Sequence, residues 1–365
     1  METRKIRTAL VGCGKVADFH ALAYAGLAHS DFVACCDNNI ERAKAFAERF
    51  GIRAYDNVEQ MIRECGVELV SICVPHPLHA ALAVQAADLK CNVLVEKPLA
   101  VSLEDCDKII NAGKDNGVQI GMIAQRRFYR PCMRIRQAID EGKLGEPIIG
   151  TVNMYGWRDK AYYDSDPWRG TWKGEGGGVM ATQATHQIDL LLWYMGEIDE
   201  VYGVWKNYNH PYIEVEDTAV AIVKFKSGAV GNLVMSNSQN PALFGNVRVH
   251  GKNGASVGVQ TDGGSMFIAG MSEITEAPYN DIWTVEGEAG KLEQMKEEDS
   301  AAFFSVDSMH YYHRLQIEEF INAIIEGKRP LVTAEDGRRA VELMIGVYRS
   351  MATGLPVKFP LKVGD

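Results

Sequence analysis

The sequence has no apolar stretch long enough to cross a bilayer, for which about 20 predominantly apolar residues are needed. It also lacks a surplus of positive charge: 38 lysines and arginines face 48 aspartates and glutamates, giving a net charge of −10. No broad positive field is offered to phosphodiester backbones or anionic headgroups, so neither nucleic acid nor membrane is expected as a partner. Cysteine is absent beyond Cys132, and none of the eight stands in a C-x-x-C pair. Several lie in apolar runs such as Ala34-Cys35-Cys36 and Ser71-Ile72-Cys73, which suits buried, reduced thiols better than a disulfide framework or a zinc cluster. No metal site is expected. From Met1 to Gly14 a short basic stretch leads into a strand-like run, without the apolar core or small-residue cleavage site of a signal peptide. The expected location is the cytoplasm.

With 365 residues, 47% of them hydrophobic and 24% charged, the chain has more length than one core usually serves, and two domains are expected. Up to about residue 125, short β-rich runs alternate with helical stretches, the pattern of βαβ units on a parallel sheet. The predicted strands are Ile6 to Val11, Phe32 to Cys36, Leu69 to Val74, Asn92 to Val95 and Val118 to Ile123. Helical spacing of apolar residues marks Val16 to His29, Ile40 to Phe50, His79 to Leu89 and Leu103 to Asn116. Beyond Arg126 the texture changes to alternating runs, at Ile148 to Tyr155, Thr218 to Phe225, Ala229 to Ser236 and Asn246 to His250. Helices are predicted at Gln183 to Tyr194, His313 to Glu326 and Ala334 to Ala352. The fold class is α/β: a doubly wound domain over residues 1–125, then an α+β domain over 126–365 with a mixed, largely antiparallel sheet.

The first strand runs into Gly12-Cys13-Gly14-Lys15-Val16-Ala17, a G-x-G-x-x-G/A pattern opening directly into a helix. Gly12 permits the tight turn, Gly14 lets backbone approach a pyrophosphate, and Ala17 lets the helix pack close. The helix N-terminus presents unpaired N–H groups and its positive dipole end. Asp37 ends the next predicted strand, near the expected separation of about 20 residues. Its carboxylate can accept from ribose hydroxyls and repels a 2′-phosphate, so the predicted cofactor is NAD and the domain is of the Rossmann type. Gly12, Gly14, Lys15, Val16 and Asp37 form the first part of the cofactor set. Two further strands end in Pro75-His76-Pro77-Leu78-His79 and in Glu96-Lys97-Pro98, turns expected to border the nicotinamide. Pro75, His79, Glu96 and Lys97 complete the set, although His79 also suits the start of the following helix.

Val11-Gly12-Cys13-Gly14, Asp37, Pro75 with His79, Glu96-Lys97-Pro98, and the stretch from Gly176-Gly177-Gly178 through His186-Gln187-Ile188-Asp189 resemble the glucose-fructose oxidoreductase / inositol dehydrogenase family, written Gfo/Idh/MocA. Glu216-Asp217-Thr218-Ala219 and Asp336-Gly337-Arg338-Arg339 extend the resemblance over nearly the whole chain. The resemblance implies an NAD(H)-dependent oxidoreductase that moves hydride at a hydroxyl-bearing carbon of a sugar or cyclic polyol, or at the matching ketone. Lys97 and His186 carry over as its catalytic residues. It also implies association through the second domain's sheet, as a homodimer or homotetramer. The chemistry agrees: oxidising an alcohol needs a base for the hydroxyl proton and a group that holds the oxygen. An imidazole, with an unperturbed pKa near ~6.5, suits the first task, and Lys97 suits the second.

One position departs from the family. Four residues before His186, where many members carry Asp, stands Thr182, followed by Gln183. A hydroxyl can bind substrate but cannot act as a base or supply negative charge, which leaves the division of proton duty between Lys97 and His186 open. Asp189 lies three positions after His186, within reach on a helix. Between Tyr155 and Trp172 the chain is dense in aromatics interleaved with Arg and Asp, a composition suited to a polyol pocket. Arg169, Trp172, Thr182 and His186 are the expected substrate residues. Arg126, Arg127, Arg130, Arg134 and Arg136 read as a solvated helix face rather than an anion site. The alternative function is a non-catalytic NAD(H) or sugar-ligand sensor on the same fold.

Overall fold

The computed structural model describes residues 4–263 and 276–362. Its first elements are β1 (Ile6–Val11), α1 (Ala17–Gly26), β2 (Ser30–Cys36), α2 (Ile40–Phe50), β3 (Arg53–Tyr55), α3 (Val58–Cys65), β4 (Leu69–Ile72), α4 (His79–Asp88), β5 (Asn92–Val95), α5 (Leu103–Asn116) and β6 (Ile120–Met122). All six strands run parallel in the order β3-β2-β1-β4-β5-β6. Strands buried on both faces need continuous apolar runs, and β4 and β5 are buried almost throughout. The intervening helices carry their own punctuation. Asn39, Asn57 and Ser102 accept N–H groups at the N-termini of α2, α3 and α5, and Gly51, Gly66 and Gly117 end the same helices in left-handed conformation.

The remaining elements are α6 (Arg130–Asp140), β7 (Pro147–Tyr155), α7 (Lys160–Asp164), α8 (Trp172–Glu175), α9 (Val179–Thr182), α10 (Thr185–Met195), β8 (Ile198–Lys206), β9 (Thr218–Phe225), β10 (Val230–Ser236), β11 (Phe244–Gly251), β12 (Ser256–Gly263), β13 (Tyr279–Trp283), α11 (Leu292–Phe304), α12 (Ser308–Glu326), α13 (Ala334–Thr353) and β14 (Val357–Lys358). Among the described residues these strands make an eight-stranded sheet, β13-β12-β11-β7-β10-β9-β8-β14. Among the described residues only the β7–β10 pairing of this sheet is parallel, so the sheet is mixed and largely antiparallel. Burial alternates along β9, as expected where one face is covered and the other open. On the covered face α10 packs against β7 and β11. No helix among the described residues is long and apolar enough to cross a membrane.

The chain divides into two compact units, Met1–Gln125 with Ser308–Arg338, and Arg126–Asp307 with Arg339–Asp365. Residues 308–338 thus differ from the linear division at residue 125. The reason is the apolar stripe of α12: Ile317, Phe320 and Ile321 are buried in one cluster with Ala17, Ala21 and Tyr24 of α1. Burying each such large side chain contributes about 2 kcal/mol. Gln316 adds polar specificity, accepting the Ala124 N–H at 2.9 Å and donating to the Met122 carbonyl at 2.8 Å.

Candidate functional site

In the first unit the strand order reverses at β1 and β4, and open α/β sheets bind ligands beyond the carboxyl ends of strands at such a point. Gly12 follows β1 with φ +93°. A Cβ there would stand 2.4 Å from the Cys73 carbonyl oxygen, so only glycine lets the loop lie against the end of β4. Gly14 faces the other way: it is exposed, and a Cβ there would meet nothing within 4 Å. Val16 precedes α1 without a side-chain cap, while the Ala17 and Phe19 N–H groups already donate to the Gly14 and Val16 carbonyls, both at 3.1 Å. Lys15 is exposed beside it.

Asp37 lies at the end of β2, 6% exposed. It accepts the Cys13 N–H on Oδ2 and the Asn39 N–H on Oδ1, both at 2.9 Å, with the Arg42 guanidinium 3.5 Å away. Its oxygens retain lone pairs for further donors. An uncapped helix end, a close-lying glycine loop with open space at Gly14, and an anchored carboxylate fit a dinucleotide with unphosphorylated ribose. Gly12, Gly14, Lys15, Val16 and Asp37 are brought together here.

The turns after β4 and β5 hold the other cofactor candidates. Pro75 is exposed and Lys97 half-buried. His79 is fully buried, with Nδ1 2.9 Å from the Pro98 carbonyl and Nε2 2.9 Å from the Val74 carbonyl. Through these two carbonyls it ties the two turns together. Burial lowers its pKa against the two carbonyl contacts, which raise it. Glu96 is buried as well and sits 2.9 Å from His20 Nε2 through Oε1. Burial pushes its carboxyl up, but the His20 hydrogen bond and the charges of His20, His313 and Lys97 prevail and hold it at about 2. The His20–Glu96 contact spans 76 residues and was not foreseen. The signal available was His20 and Tyr24 at helical spacing on one face of α1.

In the second unit, the glycine triplet precedes the helices that carry Thr182 and His186. At Gly178 a Cβ would lie 1.8 Å from the Glu216 carbonyl oxygen, so backbone approach excludes any side chain. The buried Glu216 carboxyl accepts the Gly178 and Met180 N–H groups at 2.9 and 3.1 Å, and the Tyr348 hydroxyl at 2.9 Å. Burial pushes it up to about 7. It thereby caps the start of α9. His186 lies one residue into α10 and is 8% exposed; Thr182 is 9% exposed. The Thr182 hydroxyl donates to the Gly178 carbonyl at 2.8 Å and also contacts Gln183 Oε1.

Gln183 extends this into a polar row. Its Nε2 donates to the Tyr162 hydroxyl at 3.0 Å, and its Oε1 accepts from Asn237 at 2.7 Å. Arg169 donates to the same Tyr162 hydroxyl at 2.7 Å and to Asp166 at 3.2 Å, its guanidinium 4.4 and 4.6 Å from the Tyr162 and Trp168 ring centroids. Arg169 and Thr182 are thus joined through Tyr162 and Gln183. Trp172 is not part of the row: it packs edge-on against Trp205 and Tyr348, behind Glu216. Both Asp189 oxygens accept from Arg127, at 2.7 and 2.8 Å. The arginine stretch is therefore not the uniformly solvated face expected: Arg127 is buried and Arg134 mostly so, whereas Arg130 stays exposed. Arg134 makes two bonds to Asp299, Arg136 binds Asp140, and Arg126 binds Thr261. No group of three or more His, Cys, Asp or Glu that could hold a metal ion occurs among the described residues.

Comparison with known proteins adds a family and relatives. Residues 6–123 match the family described as "Oxidoreductase family, NAD-binding Rossmann fold", and residues 136–359 match "Oxidoreductase family, C-terminal alpha/beta domain". Myo-inositol 2-dehydrogenase of Thermotoga maritima is 25% identical over 367 aligned residues, covering 98% of this chain and 100% of that protein. The WlbA dehydrogenase of Bordetella pertussis, solved with NADH and UDP-GlcNAcA, superposes with a TM-score of 0.86 at 26% identity, over 99% of this chain and 100% of that one. The WlbA protein of Chromobacterium violaceum, solved with the same ligands, gives 0.83 at 27% identity, over 100% and 98%.

Proposed function

The chain belongs to the Gfo/Idh/MocA oxidoreductase family, and from that premise we propose that it interconverts a hydroxyl-bearing carbon and the matching ketone on a sugar or cyclic polyol. The observation that carries the substrate class is the polar row from Arg169 through Tyr162 and Gln183 to Thr182, which supplies many hydrogen-bonding groups beside aromatic rings. Similarity to a myo-inositol dehydrogenase and to an enzyme crystallised with a nucleotide sugar supports the same class.

NAD, held by Gly12, Gly14, Lys15, Val16 and Asp37, supplies the hydride acceptor or donor. Lys97 binds the reacting oxygen, and His186 takes or returns the hydroxyl proton. Thr182 orients substrate through its hydroxyl, and Arg169 binds substrate hydroxyls. Trp172 shapes the wall behind. Pro75, His79 and Glu96 support the nicotinamide end of the cofactor, the last two by fixing the turns around it.

A homodimer or homotetramer is supported by the open face of the second sheet, where Tyr202, Val204, Val220, Ile222 and Val230 are exposed. The cytoplasm is the proposed compartment, in keeping with eight free thiols. A turnover screen of sugars, glycosides, inositols and sugar acids with NAD tests the function. On the substrate it finds, Lys97→Ala and His186→Ala should each lower kcat by about 100-fold or more, with little change in the NAD Kd. Near wild-type turnover in both variants would sink the assignment.

A further inference from the structure

Glu96 ends a buried hydrogen-bond chain that the roles above leave unused. The Tyr24 hydroxyl is 2.5 Å from Ser71 Oγ, which is 2.9 Å from His20 Nδ1; His20 Nε2 is 2.9 Å from Glu96 Oε1. Glu96 Oε2 accepts the Lys97 backbone N–H at 3.1 Å. Tyr24, Ser71 and His20 are no more than 1% exposed.

Donor capacity gives the chain a direction. A carboxylate only accepts, so His20 donates through Nε2. In the neutral ring Nδ1 then accepts from Ser71, and Ser71 accepts from Tyr24. Each buried donor has its acceptor, and the chain terminates on an anion. The groups facing that anion come from several elements: His20 on α1, Cys73 after β4, His79 on α4, and His313 on α12, whose Nε2 lies 4.0 Å from Oε1. His310 reaches the cluster through Phe19, which contacts both α12 histidines. Burial raises the Cys73 thiol, lowers His79, and brings His313 down to about 4. At neutral pH Glu96 remains the anion beside Lys97.

Resting on the assignment of Lys97 above, we infer that Glu96 is a positioning residue whose charge, maintained by the Tyr24–Ser71–His20 chain, keeps Lys97 an ammonium. Lys97 therefore binds the substrate oxygen as a cation, and the hydroxyl proton goes to His186.

Trace acetylation by acetic anhydride over a pH series, quantified by peptide mass spectrometry, reads Lys97 ionisation without turnover. Removing a neighbouring anion makes an ammonium easier to deprotonate, so Glu96→Gln should lower the Lys97 midpoint by about one pH unit. The exposed Lys44 and Lys160 serve as unmoved references. A folded Glu96→Gln protein with an unchanged Lys97 midpoint overturns the inference. If that variant does not fold, His20→Gln, which keeps a donor, is compared with His20→Leu, which drives the buried carboxyl to take up a proton. Only the leucine variant should lower the midpoint, and equal midpoints overturn the inference. A Glu96-dependent midpoint in a protein that turns over no sugar upholds it and removes the dehydrogenase reading alone.

Discussion

Cofactor preference turns on one carboxylate and its neighbours. Asp37 is fixed by the Cys13 and Asn39 N–H groups, so it cannot swing away from a ribose, and a 2′-phosphate would face a buried negative charge. NAD should therefore bind at least about tenfold more tightly than NADP, a difference of ~1.4 kcal/mol. Arg42, 3.5 Å from Asp37 and half-exposed, gives the variant a direction. In Asp37→Ala the guanidinium loses its partner and becomes available to a phosphate, so the gap should narrow. Fluorescence titration with both cofactors measures this, and equal wild-type affinities contradict the inference. The residue types of this loop were legible because each serves the backbone locally. The Glu96–His20 contact was not, since the spacing of His20 and Tyr24 marks a helix face but does not name a partner 76 residues away.

At the level of elements, legibility followed burial pattern. β1 and β5 and helices α2 and α5 were predicted with their observed bounds, because their periodicity is strong and their caps are local. β3 and α3 were missed: three residues cannot display an alternation, and eight give barely two turns. The helix-turn that presents His186 depends on Glu216, whose burial is a tertiary fact with a pH signature. Its folded-state carboxyl lies near 7, above the ordinary 4.5. Folding favours the protonated form, so its contribution is full below pH 4.5 and is lost as pH rises through about 7. The loss is on the order of 3 kcal/mol. Glu96 acts oppositely: held at about 2, it contributes fully above pH 4.5 and loses that contribution as pH falls toward 2. Up to about pH 6.5 the lowered His79 and His313 gain stability as pH rises and oppose the Glu216 loss, so the Glu216 contribution is read against a variant that keeps both histidines. Glu216→Gln cannot ionise, so in thermal unfolding its stability relative to wild type should rise from pH 5 to 8; an unchanged difference removes the assignment.

For the whole molecule, composition foretold two cores but not the path of the chain between them. Helix α12 has the expected apolar stripe, yet nothing in its periodicity says that it joins the cluster around α1, because periodicity reports a buried face and not the partner. The open face of the second sheet raises the same question about partners. In the β8–β9 ladder Tyr202 stands opposite Ile222 and Val204 opposite Val220, and Val230 pairs with Ile149 across β10 and β7. These exposed side chains form cross-strand apolar pairs, which on an open sheet face mark an association surface. Ile222 is the best probe, being 58% exposed in the single chain. Replacing it with lysine should cost the monomer within about 0.5 kcal/mol, whereas burying an unpaired ammonium against a second subunit is strongly unfavourable. Light scattering during size-exclusion chromatography should show a dimer or tetramer for the wild type and a smaller species for Ile222→Lys, with the same thermal midpoint at low concentration. A wild-type protein that elutes as a monomer, or an Ile222→Lys protein with unchanged mass, excludes this face as the interface.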